Sequence, residues 1–206
     1  MRALLMKDFL MLTKQIKWMI GIFAIFILIS LITDMGAVLI IFALIFASLQ
    51  LSTAFSFDEM SKWDKYVNTL PIDRKTIVQS KFILGLILII IGMVILTPIA
   101  YISGDFINTL SPFEIFQWLV IILSVGLLYV SITIPFYIKF GSDKAKLIIF
   151  AIVFIPVFGS SFIQQYFQNI DMNQVKNFIN YVPIGAFIIL LISYILSVKW
   201  YGQKQF

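Results

Sequence analysis

Apolar runs close to membrane-spanning length alternate along this chain with short charged segments. A helix that crosses the hydrocarbon core needs about 20 apolar residues, within roughly 17–25. Six stretches approach that pattern: Trp18–Thr33, Gly36–Phe55, Phe82–Ile102, Phe116–Ile138, Leu147–Phe162 and Tyr181–Lys199. Only TDMG (Thr33–Gly36) separates the first two, and it reads as a tight turn. No small-residue cleavage site follows Ile32 and the chain turns straight into a second run, so a span is expected there, not a signal peptide. The expected fold is all-α: a polytopic membrane protein of six transmembrane helices in a single domain over residues 1–206.

The charged segments are patterned too. In Arg2–Lys17, Lys7, Lys14 and Lys17 recur with Asp8 and Gln15 beside them, and Leu5, Phe9, Leu12 and Ile16 make an opposite stripe. That spacing is helical. A basic flank with an apolar stripe suits an interfacial helix over residues 1–17. Between the second and third spans, Phe57, Met60, Trp63, Val67 and Leu70 recur every three or four residues. Ser56 and Glu59 fit a capping box that would start a new helix. Asn68–Pro71 would end it, with Asp73 the N-cap of the next. The expected order is therefore 1–17 interfacial, 18–56 two spans, 57–81 a cytoplasmic amphipathic segment and 82–138 two spans. A cytoplasmic loop at 139–146 then leads to 147–200, two spans joined by an outer loop at 164–180.

Composition supports lipid as the solvent. The chain is 61% hydrophobic and only 12% charged, against about a quarter charged in soluble domains. With no Cys and no His, thiol nucleophiles, thiolate metal sites and the usual neutral-pH general base are excluded. The net charge of +5 reads as topology, not nucleic-acid binding. Of the 15 Lys and Arg, only Lys176 falls on one side of the six-span layout. This asymmetry places both termini and the 57–81 segment in the cytoplasm of a plasma-membrane protein. Around the Met/Trp/Tyr stripe of that segment, Asp58, Glu59, Asp64 and Asp73 nearly balance Lys62, Lys65, Arg74, Lys75 and Lys81. Such mixed charge suits a protein contact; a helix resting on the headgroups is the alternative.

MKDF (Met6–Phe9) before the first span and DEMSKWDKYVNTLPIDRKTIVQSKF (Asp58–Phe82) after the second resemble the ABC-2 type exporter permeases. The resemblance implies a dimer of six-span subunits, homo- or heteromeric, each served by a separate cytoplasmic ATPase that binds ATP and magnesium. It implies that Phe57–Tyr66 is the coupling helix seated in that ATPase. Phe57, Asp58, Glu59, Met60, Lys62, Trp63, Tyr66 and Arg74 would form the coupling contact, with Asp58, Glu59 and Trp63 central. The small size and Ile/Phe-rich spans look most like bacterial exporters of antimicrobial or amphipathic peptides, such as phenol-soluble modulins. The cargo would be a hydrophobic or amphipathic peptide, antimicrobial or lipid-like molecule. This chain itself would hold no cofactor.

The residues agree with that division of labour. No G-x-x-x-x-G-K-[ST] occurs, so ATP would bind elsewhere. No charge lies in the middle of an expected span, which disfavours self-powered ion coupling. No nucleophile–base or metal motif marks an intramembrane enzyme. A non-transporting adaptor of a sensor or immunity system would also use a docking helix and is the alternative. Gln50, Ser52 and Thr53 form a polar ladder that would either line a translocation path or hydrogen-bond across helices. Pro156 would split the fifth span or merely kink it, and Pro98 would kink the third. Pro183 is expected in the first turn of the sixth span. Asp34, Asp105, Glu114 and Asp171 face outward, as solvated ends or as attractors for a cationic cargo.

Overall fold

The computed structural model describes residues 1–33, 49–103, 111–167 and 172–204, and every regular element among them is a helix. Helix α1 is Arg2–Thr13 and α2 is Ile16–Thr33. Helix α3 is described over 49–60, and α4 is the short Trp63–Val67. Then come α5 (Arg74–Ser103), α6 (Pro112–Phe167) and α7 (Met172–Gln203). Three of the described stretches are long and apolar enough to cross a membrane: Arg74–Val94, Ile115–Ile152 and Tyr181–Gln203. The TDMG turn, most of the second expected span, Asp34, Asp105 and Asp171 lie outside the described residues.

The core forms where α3, α5 and α6 meet. Leu51, Ala54, Val78, Leu84, Ile89, Val130 and Ile134 are buried there. Gly85 permits the approach of α5 to α6: a Cβ on it would lie 3.0 Å from the Val130 methyls. Helix α7 packs mainly on α6, where the Ser193 hydroxyl donates to the Ser131 carbonyl at 2.5 Å. Phe82 of α5 meets Tyr194 of α7 edge-on, with ring centroids 5.5 Å apart. The outer face of α7 stays apolar and open, with Ile184, Phe187, Ile188, Ile192 and Ile195 exposed. In an apolar solvent such a face costs nothing.

Several expectations change. Ser56 does not cap a helix. It sits inside α3, where its hydroxyl donates to the Ser52 carbonyl at 2.9 Å, the back-bond that lets serine continue a helix. The break comes later, at Lys62, which is left-handed (φ 52°). Asp73 does precede a helix: its carbonyl accepts from Thr76 and Ile77, so α5 begins at Arg74, well before Phe82. The expected loop at 139–146 is helical except at one residue, Gly141 (φ 77°, ψ 175°), which turns the chain without a loop. The helical run is unbroken across Pro156 and starts at Met172 on the other side, so Pro183 is interior to α7 rather than in its first turn. The face of α1 is also reassigned. Leu4, Asp8 and Leu12 are its buried residues, which puts Asp8 on the inner stripe, while Ile16 is exposed.

Gly141 is held by its conformation and by its neighbour, since a Cβ would lie 3.2 Å from the Glu59 carboxylate. An L-residue at positive φ costs roughly 1–2 kcal/mol. Gly141→Ala is therefore expected to lower the thermal midpoint of the purified protein by a few degrees; an unchanged midpoint would show that the elbow tolerates a side chain.

Candidate coupling site

The segment from 57 to 75 is fastened to the bundle by three of its acidic residues, Asp58, Glu59 and Asp64, each reaching a different part of the chain. Asp58, at the end of α3, is 4% exposed. It accepts from Lys81 of α5 at 2.5 Å and from Lys7 of α1. Lys81 also donates to Asp8 of α1 at 2.8 Å, and Lys7 pairs with Asp8 at 2.9 Å. The four side chains close a ring of alternating charge: Lys7, Asp8, Lys81, Asp58. Asp8 and Lys81 are 1% and 6% exposed. Their charges sum to zero, and each carboxylate meets two ammonium groups. That mutual pairing is the condition under which buried charges are tolerated.

The next residue faces the other way. The Glu59 carboxylate accepts from the Ser142 hydroxyl and from the Ser142 backbone N–H, the latter at 2.5 Å. Ser142 follows the Gly141 break, so its N–H is one of the donors that a new helix leaves unpaired. These hydrogen bonds from Ser142 hold Glu59 below the usual carboxylate range, helped by Lys204 and Lys146 and opposed by desolvation. Adjacent residues thus grip different neighbours, Asp58 the α1–α5 pair and Glu59 the elbow of α6.

Asp64 of α4 pairs with Lys204 at 3.0 Å, and Asn68 donates to the Tyr201 hydroxyl at 3.2 Å. Arg74 donates to the Gly202 carbonyl at 2.6 Å. Trp63 is half-buried, packs on the core, and carries the Lys7 ammonium 4.3 Å above its ring. A cavity of about 100 Å³ remains among Asp58, Glu59, Trp63, Lys81, Gly141 and Tyr201.

A family model described as "ABC-2 family transporter protein" matches residues 3–202. The chain belongs to that family. It is a membrane permease of an ABC transporter, the kind of subunit that works with a partner ATPase. No curated protein and no solved structure matches it.

In this permease the expected coupling residues divide into two groups. Asp58, Glu59, Trp63 and Arg74 hold the segment to its own bundle, and Phe57 is half-buried in the last turn of α3. Met60, Lys62 and Tyr66 are exposed, as is Lys65. Of the residues suggested for a path, Ser52 is buried and shares a hydrogen bond with Tyr129 at 3.3 Å. Thr53 back-bonds to the Leu49 carbonyl at 3.1 Å. Gln50 is buried, and its Oε1 has no partner among the described residues. Pro156 lies within the helical run of α6. Lys7, Asp8 and Lys81 were missed as a functional group. The available signal was an ionisable residue on an otherwise apolar stripe: Asp8 shares a helical face with Leu4 and Leu12.

Removing one member of a buried ion pair costs about 3–5 kcal/mol, because it strands its partners. Lys81→Met is expected to lower stability by that order in a denaturant titration, and Asp58→Leu added to it should recover most of the loss. Glu59 adds a pH dependence. Its folded pKa is depressed, so its contribution is present above the ordinary value of 4.5 and is lost as pH falls through the folded value. The thermal midpoint of Glu59→Gln should thus fall less on acidification below pH 4.5 than that of the parent.

Proposed function

We propose that this permease is the membrane subunit of an ATP-driven exporter, and that the 57–75 segment transmits the motion of a separate cytoplasmic ATPase. The observation that carries the reading is the two-sidedness of that segment. Three of its acidic residues are tied inward to α1, α5, the α6 elbow and the C-terminal end of α7. Its outward residues, Met60, Lys62, Lys65 and Tyr66, are exposed, Met60 at the rim of the α3–α6 groove and the Tyr66 ring against Trp63. A partner bound to that outer face would pull on every helix the inner face holds. Exposed Met and Tyr are residue types enriched where proteins meet.

The rest of the reading follows from sequence and family. Six spans, with the described α2 as the first, give both termini a cytoplasmic position under the positive-inside asymmetry. Two permease subunits, identical or paired with a sister chain, would alternate access. The cargo class is a hydrophobic or amphipathic peptide, antimicrobial or lipid-like molecule, as in the bacterial peptide exporters that the chain resembles. ATP and magnesium belong to the ATPase, and this chain performs no catalysis.

The test is co-purification from mild detergent in the native host. Wild-type protein should bring a P-loop ATPase. Met60→Glu combined with Tyr66→Asp should abolish that recovery while leaving the thermal midpoint unchanged. Glu59→Gln should retain the ATPase but weaken export, because it loosens the elbow and not the docking face. If wild-type protein brings no ATPase, the adaptor reading becomes the better one.

A further inference from the structure

A groove of about 700 Å³ opens between α3 and the two legs of α6, within the size range of ligand sites. Leu49, Tyr129, Ile149 and Phe150 form its apolar walls. Leu49 and Phe150 are exposed even though both are large and apolar.

Two polar groups on this groove, Tyr137 and Lys146, can meet a ligand. The Tyr137 side chain lines the groove and is only 3% exposed; its buried hydroxyl lies beside the Ser52 hydroxyl but makes no well-formed hydrogen bond among the described residues. Ser52, which also lines the groove, is engaged with Tyr129. A buried hydroxyl that is poorly paired favours a ligand that supplies an acceptor. Lys146 is exposed on the same groove and has no ion-pair partner among the described residues. Tyr137 precedes Gly141 by one turn and Lys146 follows it by little more. At 1.5 Å per residue each stands about 6–8 Å of helix rise from the elbow, and both line the groove. From Tyr137 back to Tyr129 the apolar wall continues for about 12 Å by the same rise.

A cation and a phenol hydroxyl on one groove, each about a turn from the elbow, with an apolar wall leading away, are complementary to an amphiphile that carries an acidic head. We propose that this groove binds an anionic membrane lipid. The headgroup is held by Lys146 and accepts from the Tyr137 hydroxyl, and an acyl chain lies along Leu49, Phe150 and Tyr129. The lysine stem suits this, since it covers apolar surface while its ammonium reaches the headgroup level. Charge complementarity selects an anionic lipid over a zwitterionic one. The proposal uses the membrane placement of the family and needs neither export nor the ATPase, so it can fail without them.

The test is native mass spectrometry of the full-length protein titrated with dioleoyl phosphatidylglycerol or dioleoyl phosphatidylcholine. Phosphatidylglycerol should stay bound through detergent removal and phosphatidylcholine should not. Lys146→Ala should weaken retention roughly five-fold, the effect of one headgroup lysine. Tyr137→Phe, which keeps the ring and removes only the hydroxyl, should weaken it too. Lys144→Ala, an exposed lysine that does not line the groove, should leave retention unchanged. Equal retention of the two lipids, or full retention by Lys146→Ala, overturns the proposal. So does a disulfide between two Phe150→Cys copies with no lipid retained, which assigns the groove to a second copy of the chain. Displacement of the lipid by an acidic amphipathic peptide that binds more tightly also overturns it, in favour of a peptide site.

Discussion

The arrangement depends on one constraint: four ionised side chains have left water together and must stay paired. An isolated charge moved into a low-dielectric interior loses several kcal/mol of hydration even after relaxation. Lys7, Asp8, Asp58 and Lys81 recover this because each meets two opposite charges. A ring of this kind is a weak source of net stability, since well-packed apolar residues of similar volume would often do as well. It does supply registration. In this arrangement of α1, α3 and α5 all four groups are paired at once.

That registration matters for what surrounds it. With Asp58 fixed, Glu59 has one direction left, toward the Gly141 elbow. The left-handed turn at Lys62 then redirects the chain so that Trp63 packs inward, with Lys7 above its ring. Asp64, Asn68 and Arg74 complete the attachment through the C-terminal end of α7. A piece of chain that is extramembranous by composition thus becomes the junction of five helices.

Much of this was legible in the sequence, and the remainder failed for identifiable reasons. The apolar runs predicted α5, most of α6 and the main part of α7, and Asp73 marked a helix start because a cap leaves a local signature. Ser56 misled because a serine that caps and one that back-bonds look alike in sequence. Lys139–Lys146 suggested a loop because its charges are those of a loop, yet Gly141 absorbs the whole turn. The ring was invisible to any window of neighbouring residues. Asp8 and Lys81 are 73 positions apart, and periodicity alone assigns Asp8 to the solvent face with Lys7. Topology counting treated Lys81 as a cytoplasmic charge, which its position near the end of a helix also allows.

The spacing of the ring sets an order in time. Asp8 emerges from the ribosome 73 residues ahead of Lys81. At about 5–20 residues per second, that delay is roughly 4 to 15 s. Throughout it Lys7 is the only lysine of the ring available to the Asp8 carboxylate, which cannot enter hydrocarbon cheaply. The ring therefore cannot close until the residues of α5 have been made.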